Sequence, residues 1–517
     1  SVAKGKQQEG QKYKDYFDFS ESWKNCSSHR FLAMQRGENE KLLRLKIIPD
    51  EDSVFDFLER FYIKNNYDVS EHVKLAYKDA YKRFLQPSFE TEFKQLLKEK
   101  SDEKSITVFT KNLQQLLLDA PLGRKRILAI DPGFKSGCKV VCLDENGELL
   151  HNVNIFPHPP QREMSKAKNK IFQLIQTYKI EAVAIGDGTA GRETESMFKH
   201  MKFDQDIMVC IVREDGASIY SASSVGREEF PSFDVTVRGA VSIGRRLMDP
   251  LAELVKIDAK SLGVGQYQHD VNQVKLKSAL DRVVESVVNK VGVELNTASK
   301  YLLQHVSGLG PQLAQNIVEY RNEHNGFTSR SELKKVARIG AKALQHSAGF
   351  VRISSSHNIL DNPCVQPYNY AIVKAISKDI STNIEDIIGS KEWLKQLDKS
   401  KYEKVGSFTL EDILKELQKP SRDPRNSVKP FEFRNDIHTI DDLIVGMRLP
   451  GMITNITNFG AFVNIGIKEN GMIHKSQIGD TFVEDPSDYL SLNQQLEVKV
   501  LEVDKERKRI ALTLKNM

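Results

Sequence analysis

Cysteine is scarce in this chain, five in 517 residues, and an odd, sparse count does not suit a disulfide framework. A reducing compartment is expected. The one close pair, Cys138 and Cys142 in CKVVC, has no second CxxC or HxxxH to complete a zinc site, so it reads as buried thiols on a strand, with no metal ligated there. Long apolar runs are also missing. No stretch approaches the roughly 18 residues a membrane helix needs, and the opening SVAKGK has neither a methionine nor an apolar signal core. Neither a membrane partner nor secretion is expected, and the chain reads as a piece of something longer. Nor does one sign of charge dominate: 75 basic residues face 70 acidic ones for a net +5, which by itself says little about nucleic acid. What is present is a soluble globular composition, 40% hydrophobic and 28% charged, long enough at about 150 residues per domain for three or four domains.

The charge is unevenly placed. Residues 293–353 carry a net +4, against −2 over 440–517. A local basic excess marks either a phosphate-binding surface or a solvated helix face, and the motif inside it must decide. Residues 1–125 read as a helical scaffold, with apolar spacings at Phe55, Leu58 and Phe61–Tyr62, then Val73, Tyr77 and Tyr81, then Leu113, Leu116 and Leu117. Within it SSHRFLAMQRGENE (27–40) gathers His29, Arg30 and Arg36 near a glycine, a charged contact that reads as structural in preference to nucleic-acid binding. Over 126–235 short β-rich runs (RILAID, CKVVCLD, ELLHNVNIF) are separated by Pro-Gly and Glu-Asn-Gly turns, followed by helix, the strand EAVAIGD, helix, and the strand DIMVCIV. Three meandering strands and then βα units predict a ribonuclease-H-like α/β domain. A helical connector (236–292) contains the loop GVGQYQHDV. Short Gly-punctuated helices (293–353), a helical region with a Pro- and Ser-rich linker (354–433) and a small β-barrel (434–517) complete a multidomain α+β chain.

Three groups of residues carry chemistry. In the C-terminal segment, NFGAFV places Phe459 and Phe462 at a strand junction and His474 at the end of the next strand. Exposed rings on an OB barrel stack successive bases, while Lys505, Arg507 and Arg509 hold phosphates. In 293–353, Gly308-Leu309-Gly310 and, about thirty residues on, Ile339-Gly340-Ala341 join pairs of helices. Such hairpins aim backbone N–H groups at a phosphate, with Lys342 supplying counter-charge. In the α/β domain, Asp131 and Asp187 end two strands. A nuclease would need further carboxylates converging on a pair of Mg²⁺ or Mn²⁺ ions, and only Asp270 or Asp281 offers itself, so no catalytic residue is secure and no cofactor is otherwise expected.

In order, HRFLAMQRGENE, LAIDPGFKSG, GTAGRETE, DGASIYSAS, RGAVSIGRRLMDPLAELVKIDAKSLGVGQYQHDV, NTASKYLLQHVSGLG, AGFVRI and the barrel motifs make the chain resemble the Tex transcription-accessory family over essentially its whole length. Lysine and asparagine usage, with Asp187 in GDGTAG and Asp215 in REDGAS, resembles the eukaryotic branch named for its S1 RNA-binding domain. The resemblance implies a helical scaffold with a YqgF/RuvC-like domain, tandem helix-hairpin-helix motifs and a C-terminal S1 OB-fold. It further implies RNA and/or DNA binding without secure enzymatic activity, transcription or chromatin proteins as partners, and an intracellular, nuclear or nucleocytoplasmic location. Two alternatives stand beside it. One is a metal-dependent nuclease or resolvase on Asp131 and Asp187, and the other a protein-interaction platform on the helices of 1–125 or 354–419. Oligomeric state is not legible.

Overall fold

The computed structural model describes residues 1–64, 69–203, 205–354, 356–362, 365–418, 423, 425, 433–434, 436–437, 439–480, 483 and 485–515. The linker expected toward residue 433 lies, from 419 on, outside the described residues except for Asp423, Arg425 and Phe433. The chain divides into two units, one of Ser1–Lys111, Val264–Ala279 and Thr457–Phe459, the other of Asn112–Gly263, Leu280–Ile456 and Gly460–Met517.

In the first unit α1 (Ser28–Asn39) buries Phe31, Leu32, Ala33 and Met34. The helices α2 (Glu51–Tyr62), α3 (Val69–Ala80) and, as far as Lys111, α4 (Gln86–Leu117) follow, with a π-helical turn at Tyr81–Leu85 leading into α4. Tyr77 and Tyr81 are buried as their spacing predicts, and Phe55 stands edge-on to Tyr81. By contrast α2 buries none of its own side chains, and Phe61 and Tyr62 are 61% and 54% exposed. An apolar stripe marks the face a helix offers, while a neighbour must be present to cover it. The charged motif 27–40 is structural within this unit. Arg36 donates from Nε to both carboxylate oxygens of Asp270 at 3.1 and 3.0 Å and lies 4.5 Å over the Tyr267 ring, both residues belonging to the GVGQYQHDV loop.

The second unit opens with β1 (Ile127–Asp131), β2 (Cys138–Leu143) and β3 (Leu149–Ile155), then α5 (Met164–Tyr178), β4 (Ala182–Gly186), α6 (Gly191–Lys199) and β5 (Met208–Val212). The sheet runs β3-β2-β1-β4-β5, antiparallel through the meander and parallel from β1 to β4 to β5. This is the ribonuclease-H-like order. Ile127, Leu128, Ala129 and Ile130 are fully buried because β1 is central and covered on both faces, whereas edge strand β3 alternates. Cys138 and Cys142 are both fully buried on β2. Next come α7 (Ala217–Ala222), α8 (Ser224–Glu229), α9 (Val235–Met248) and α10 (Pro250–Leu254). Helix α9 packs along β1, β2 and β4, its start fixed by Asp234, whose carboxylate accepts the Thr236 and Val237 N–H groups at 2.8 and 3.0 Å.

Beyond α11 (Gln273–Val291), β6 (Val293–Glu294) pairs in parallel with β7 (Val351–Arg352) and so clasps the ends of the segment holding α12 (Lys300–Leu303), α13 (Pro311–Glu323) and α14 (Ala341–Ser347). A separate core around Trp393 and Leu417 gathers α15 (Tyr370–Asp379), α16 (Ile384–Ile387) and α17 (Ser407–Gln418). Last, β8 (Arg448–Thr457), β9 (Gly460–Asn464), β10 (Gly471–His474), β11 (Gln495–Asp504) and β12 (Arg509–Thr513) close a barrel in the order β10-β12-β11-β8-β9. Its core includes Leu449, Ile453, Val463, Ile473, Val498 and Leu512. Within the second unit the barrel is fixed by Arg192 on α6, which donates to Ile437 O at 3.2 Å, and by Arg213, which donates to Thr454 O at 3.3 Å. Among the described residues no helix is long and apolar enough to cross a membrane.

Candidate nucleic-acid interface

Side chains alternate across a strand, so every second residue of β9 faces out. Ala461 and Val463 are buried in the barrel core, while Phe462 and Asn464 are only half-buried. The antiparallel register sets Phe462 opposite Met472 and Gly460 opposite His474. Cross-strand partners share a face, so Phe462, Met472 and exposed His474 lie together on the outside. A Cβ on Gly460 would stand 2.1 Å from Ile473 O, so only glycine lets β9 approach the strand that ends in His474. The His474 ring is oriented by Ser476, whose N–H donates to Nδ1 at 3.3 Å and whose Oγ lies 2.8 Å away. With Nδ1 accepting, the neutral ring carries its proton on Nε2, at the outer tip.

Neither Phe459 nor Phe462 belongs to the barrel's buried core. Yet the two are not equivalent. Phe459 lies in the turn before β9, in the first unit, with its ring centroid 4.4 Å from that of His29 and the planes at 46°. The basic residues named from sequence are already engaged with acids: Lys505 with Asp441 at 2.9 Å, and Arg507 with Asp504 at 3.8 Å, where Arg509 is the strand partner of Asp504. Exposed pairs are worth about 0–1 kcal/mol, so a phosphate can replace the carboxylate with little net gain.

The two hairpins of 293–353 repeat residue for residue. Gly308 and Arg338 both hold left-handed backbone, φ 82° and 66°. One residue on, Leu309 N–H donates to Val306 O and Ile339 N–H to Val336 O. Then Gly310 and Gly340 cap α13 and α14 in extended conformation, their carbonyls accepting from Ala314 and Leu344. Gly308 is needed for packing as well as φ, since a Cβ there would meet His346 Cβ at 2.7 Å. Around Gly310 and Gly340 a Cβ would meet nothing within 4 Å, so these glycines leave backbone open instead of filling a tight contact. Lys334, Arg338, Gly340 and Lys342 are all exposed.

In the α/β domain Asp131 ends β1 and Asp187 follows β4, where parallel strands present their C-terminal ends. The carboxylate that joins them is Glu214, just beyond β5, which the sequence reading missed. Glu214 N–H donates to Asp187 Oδ1 at 3.0 Å, and its own carboxylate accepts the Gly188 N–H and fills the space where a Cβ on Gly188 would lie. Burial raises the Asp131 and Asp187 carboxyls. Burial, then the charges of Asp187 and Asp131, pushes Glu214 up to about 7. The signal was the acidic pair after an apolar strand in VCIVREDG. The two residues offered for the third carboxylate are both elsewhere: Asp270 is ion-paired to Arg36 in the other unit, and Asp281 acts on His305. Buried Arg246 already brings a positive charge toward Asp187 and Asp215. Among the described residues no group of three His, Cys, Asp or Glu is arranged to hold a metal ion.

Family comparison accounts for each region. A model of the Tex central region matches 1–109, a Tex protein YqgF-like domain 125–248, a helix-hairpin-helix motif 288–352, a second helix-hairpin-helix domain 358–425 and an S1 RNA binding domain 442–515. Protein tex of Bordetella pertussis is 42% identical over 99% of this chain and 67% of its own length. The transcriptional accessory protein Tex of Neisseria gonorrhoeae is 44% identical over 99% and 69%. The human S1 RNA-binding domain-containing protein 1 is 34% identical over 96% of this chain and 57% of that protein. S1 and helix-hairpin-helix domains support a general nucleic-acid-binding role, and with two thirds of a relative's length matched at this identity, the chain belongs to the Tex family.

Proposed function

We propose that the chain is a nucleic-acid-binding scaffold acting in transcription or RNA- and chromatin-related processes, with two separate contact surfaces. Single-stranded RNA is held by the S1 barrel, where Phe462 stacks a base and His474 Nε2–H donates to a base edge or phosphate, with Phe459 able to add a further ring. Lys505, Arg507 and Arg509 supply weak phosphate contacts. Duplex DNA backbone is held by the hairpins, through the open backbone at Gly310 and Gly340 and the charge of Lys342, with Gly308 setting the turn. The observation that carries this reading is the shared outer face of Phe462 and His474 on a barrel whose core is filled without them. Stacking is tolerant of base identity and the hairpins meet only backbone, so both surfaces bind with little sequence preference.

The test is a fluorescence-anisotropy titration of labelled single-stranded RNA, single-stranded DNA and duplex DNA. Phe462→Ala with His474→Ala is expected to weaken single-strand binding and leave duplex binding in place. Unchanged single-strand affinity in that variant contradicts the platform.

A further inference from the structure

Arg213, the first residue past β5, is held on three sides. Its carbonyl oxygen accepts from Nη1 of buried Arg246 at 2.9 Å, its Nη2 pairs with Asp215, and its Nη1 donates to Thr454 O on β8 at 3.3 Å. A planar guanidinium with two nitrogens committed to different partners has its plane fixed. Thr454 carries the constraint onward, because its hydroxyl donates to Phe462 O at 3.3 Å. All of these residues belong to the second unit. The backbone that presents the Phe462 ring therefore lies two hydrogen bonds from the end of the α/β sheet.

Other contacts seat the barrel without reaching that strand. Arg192 donates to Ile437 O at 3.2 Å and Asn112 Nδ2 to Ile456 O at 3.0 Å, Gln115 accepts the Leu492 N–H at 2.8 Å, and Asn493 Nδ2 donates to Asp119 at 2.7 Å. None of these barrel residues lies on β9 or β10. Loss of the Arg213 side chain thus leaves the barrel seated and frees one brace behind Phe462.

We propose that Arg213 is a positioning residue for single-strand binding: from the α/β domain it sets Thr454, and through Thr454 the backbone of β9, so that Phe462 is aligned before a base arrives. This rests on the S1 reading above. A ring held in its binding geometry beforehand loses less freedom when the base stacks, and Arg213 itself touches no nucleic acid.

The test uses the whole chain and labelled oligo(U) at two salt concentrations, with Arg213→Ala, Thr454→Val, their double variant, and Phe462→Ala with His474→Ala as a control. Positioning through one hydrogen bond corresponds to about two- to tenfold in affinity, and each single variant should weaken binding by that factor. The double variant should bind no more weakly than the weaker single one, since both cut the same path. Arg213→Ala added to the control pair should cost nothing more. The salt slope should stay that of the parent, whereas a phosphate contact by Arg213 would lower it by about 0.7. Parental affinity in Arg213→Ala, additive losses in the double variant, or a reduced salt slope overturns the positioning role and leaves the platform standing. A control variant that binds like the parent overturns the S1 reading, and the positioning role with it. Coincident melting and unchanged duplex binding in Arg213→Ala show that the fold is intact, and Thr454→Val reads the same path without altering the α/β domain.

Discussion

His474 and Phe462 sit diagonally across two antiparallel strands, His474 opposite Gly460 and Phe462 opposite Met472, on the outer face of a closed barrel. The relationship follows from the two-residue period and one register, and it needs no contribution from the barrel core. Removing both side chains should leave the barrel folded and cost about 1–3 kcal/mol of single-strand binding for the lost stack. Anisotropy titration measures the loss, and an unchanged melting midpoint separates it from unfolding.

The glycines give two opposite expectations. Gly460→Ala drives a Cβ into Ile473 O, and the barrel should lose stability on the order of 2–4 kcal/mol, read as a lower denaturation midpoint. Gly310→Ala and Gly340→Ala place a methyl in open space on extended backbone. They should melt like the parent and lose duplex binding, because the methyl stands where a phosphate must approach the helix N-terminus. Normal duplex affinity in both would assign these glycines to the turn alone.

Glu214 makes stability depend on pH near neutrality. Its carboxyl is pushed up to about 7 from the ordinary 4.5, by burial first and then by Asp187 and Asp131. The folded state therefore binds the proton more tightly than the unfolded chain. The contribution is full below about 4.5 and is lost as pH rises through about 7. Glu214→Gln should remove that slope and stabilise the protein at pH 8 relative to the parent. Chemical denaturation at pH 5 and pH 8 checks the sign.

Salt separates the two surfaces. Lys505 and Arg507 already face Asp441 and Asp504, so single-strand binding should weaken only gently with salt. Duplex binding should fall more steeply, and Lys342→Ala should reduce its log–log slope by about 1 if Lys342 meets a phosphate.

Much of this was legible in sequence because local pattern and fold agree. RILAID reads as a strand and is one, its central place in the sheet coming only from the fold, and NFGAFV followed by MIHKS marks two strands whose register creates the outer face. The tandem hairpins are visible as glycines thirty residues apart. The second helix-hairpin-helix domain over 358–425 was read only as a helical region, since its glycines are not set in a repeated motif. Glu214 was missed because its meeting with Asp187 depends on how β4 and β5 lie side by side, which no spacing within either strand reveals. Asp270 was offered to the wrong cluster for the same reason: its partner, Arg36, lies 234 positions away. Phe459 and Phe462 look alike in NFGAFV, and only the fold assigns one ring to His29 and the other to the open face of β9.

The most direct measurement is a paired titration of single-stranded RNA and duplex DNA against the parent, Phe462→Ala with His474→Ala, and Gly310→Ala with Gly340→Ala. Two independent surfaces predict a crossed result, each variant losing one ligand and keeping the other. Loss of both ligands in either variant, or of neither in both, contradicts the account.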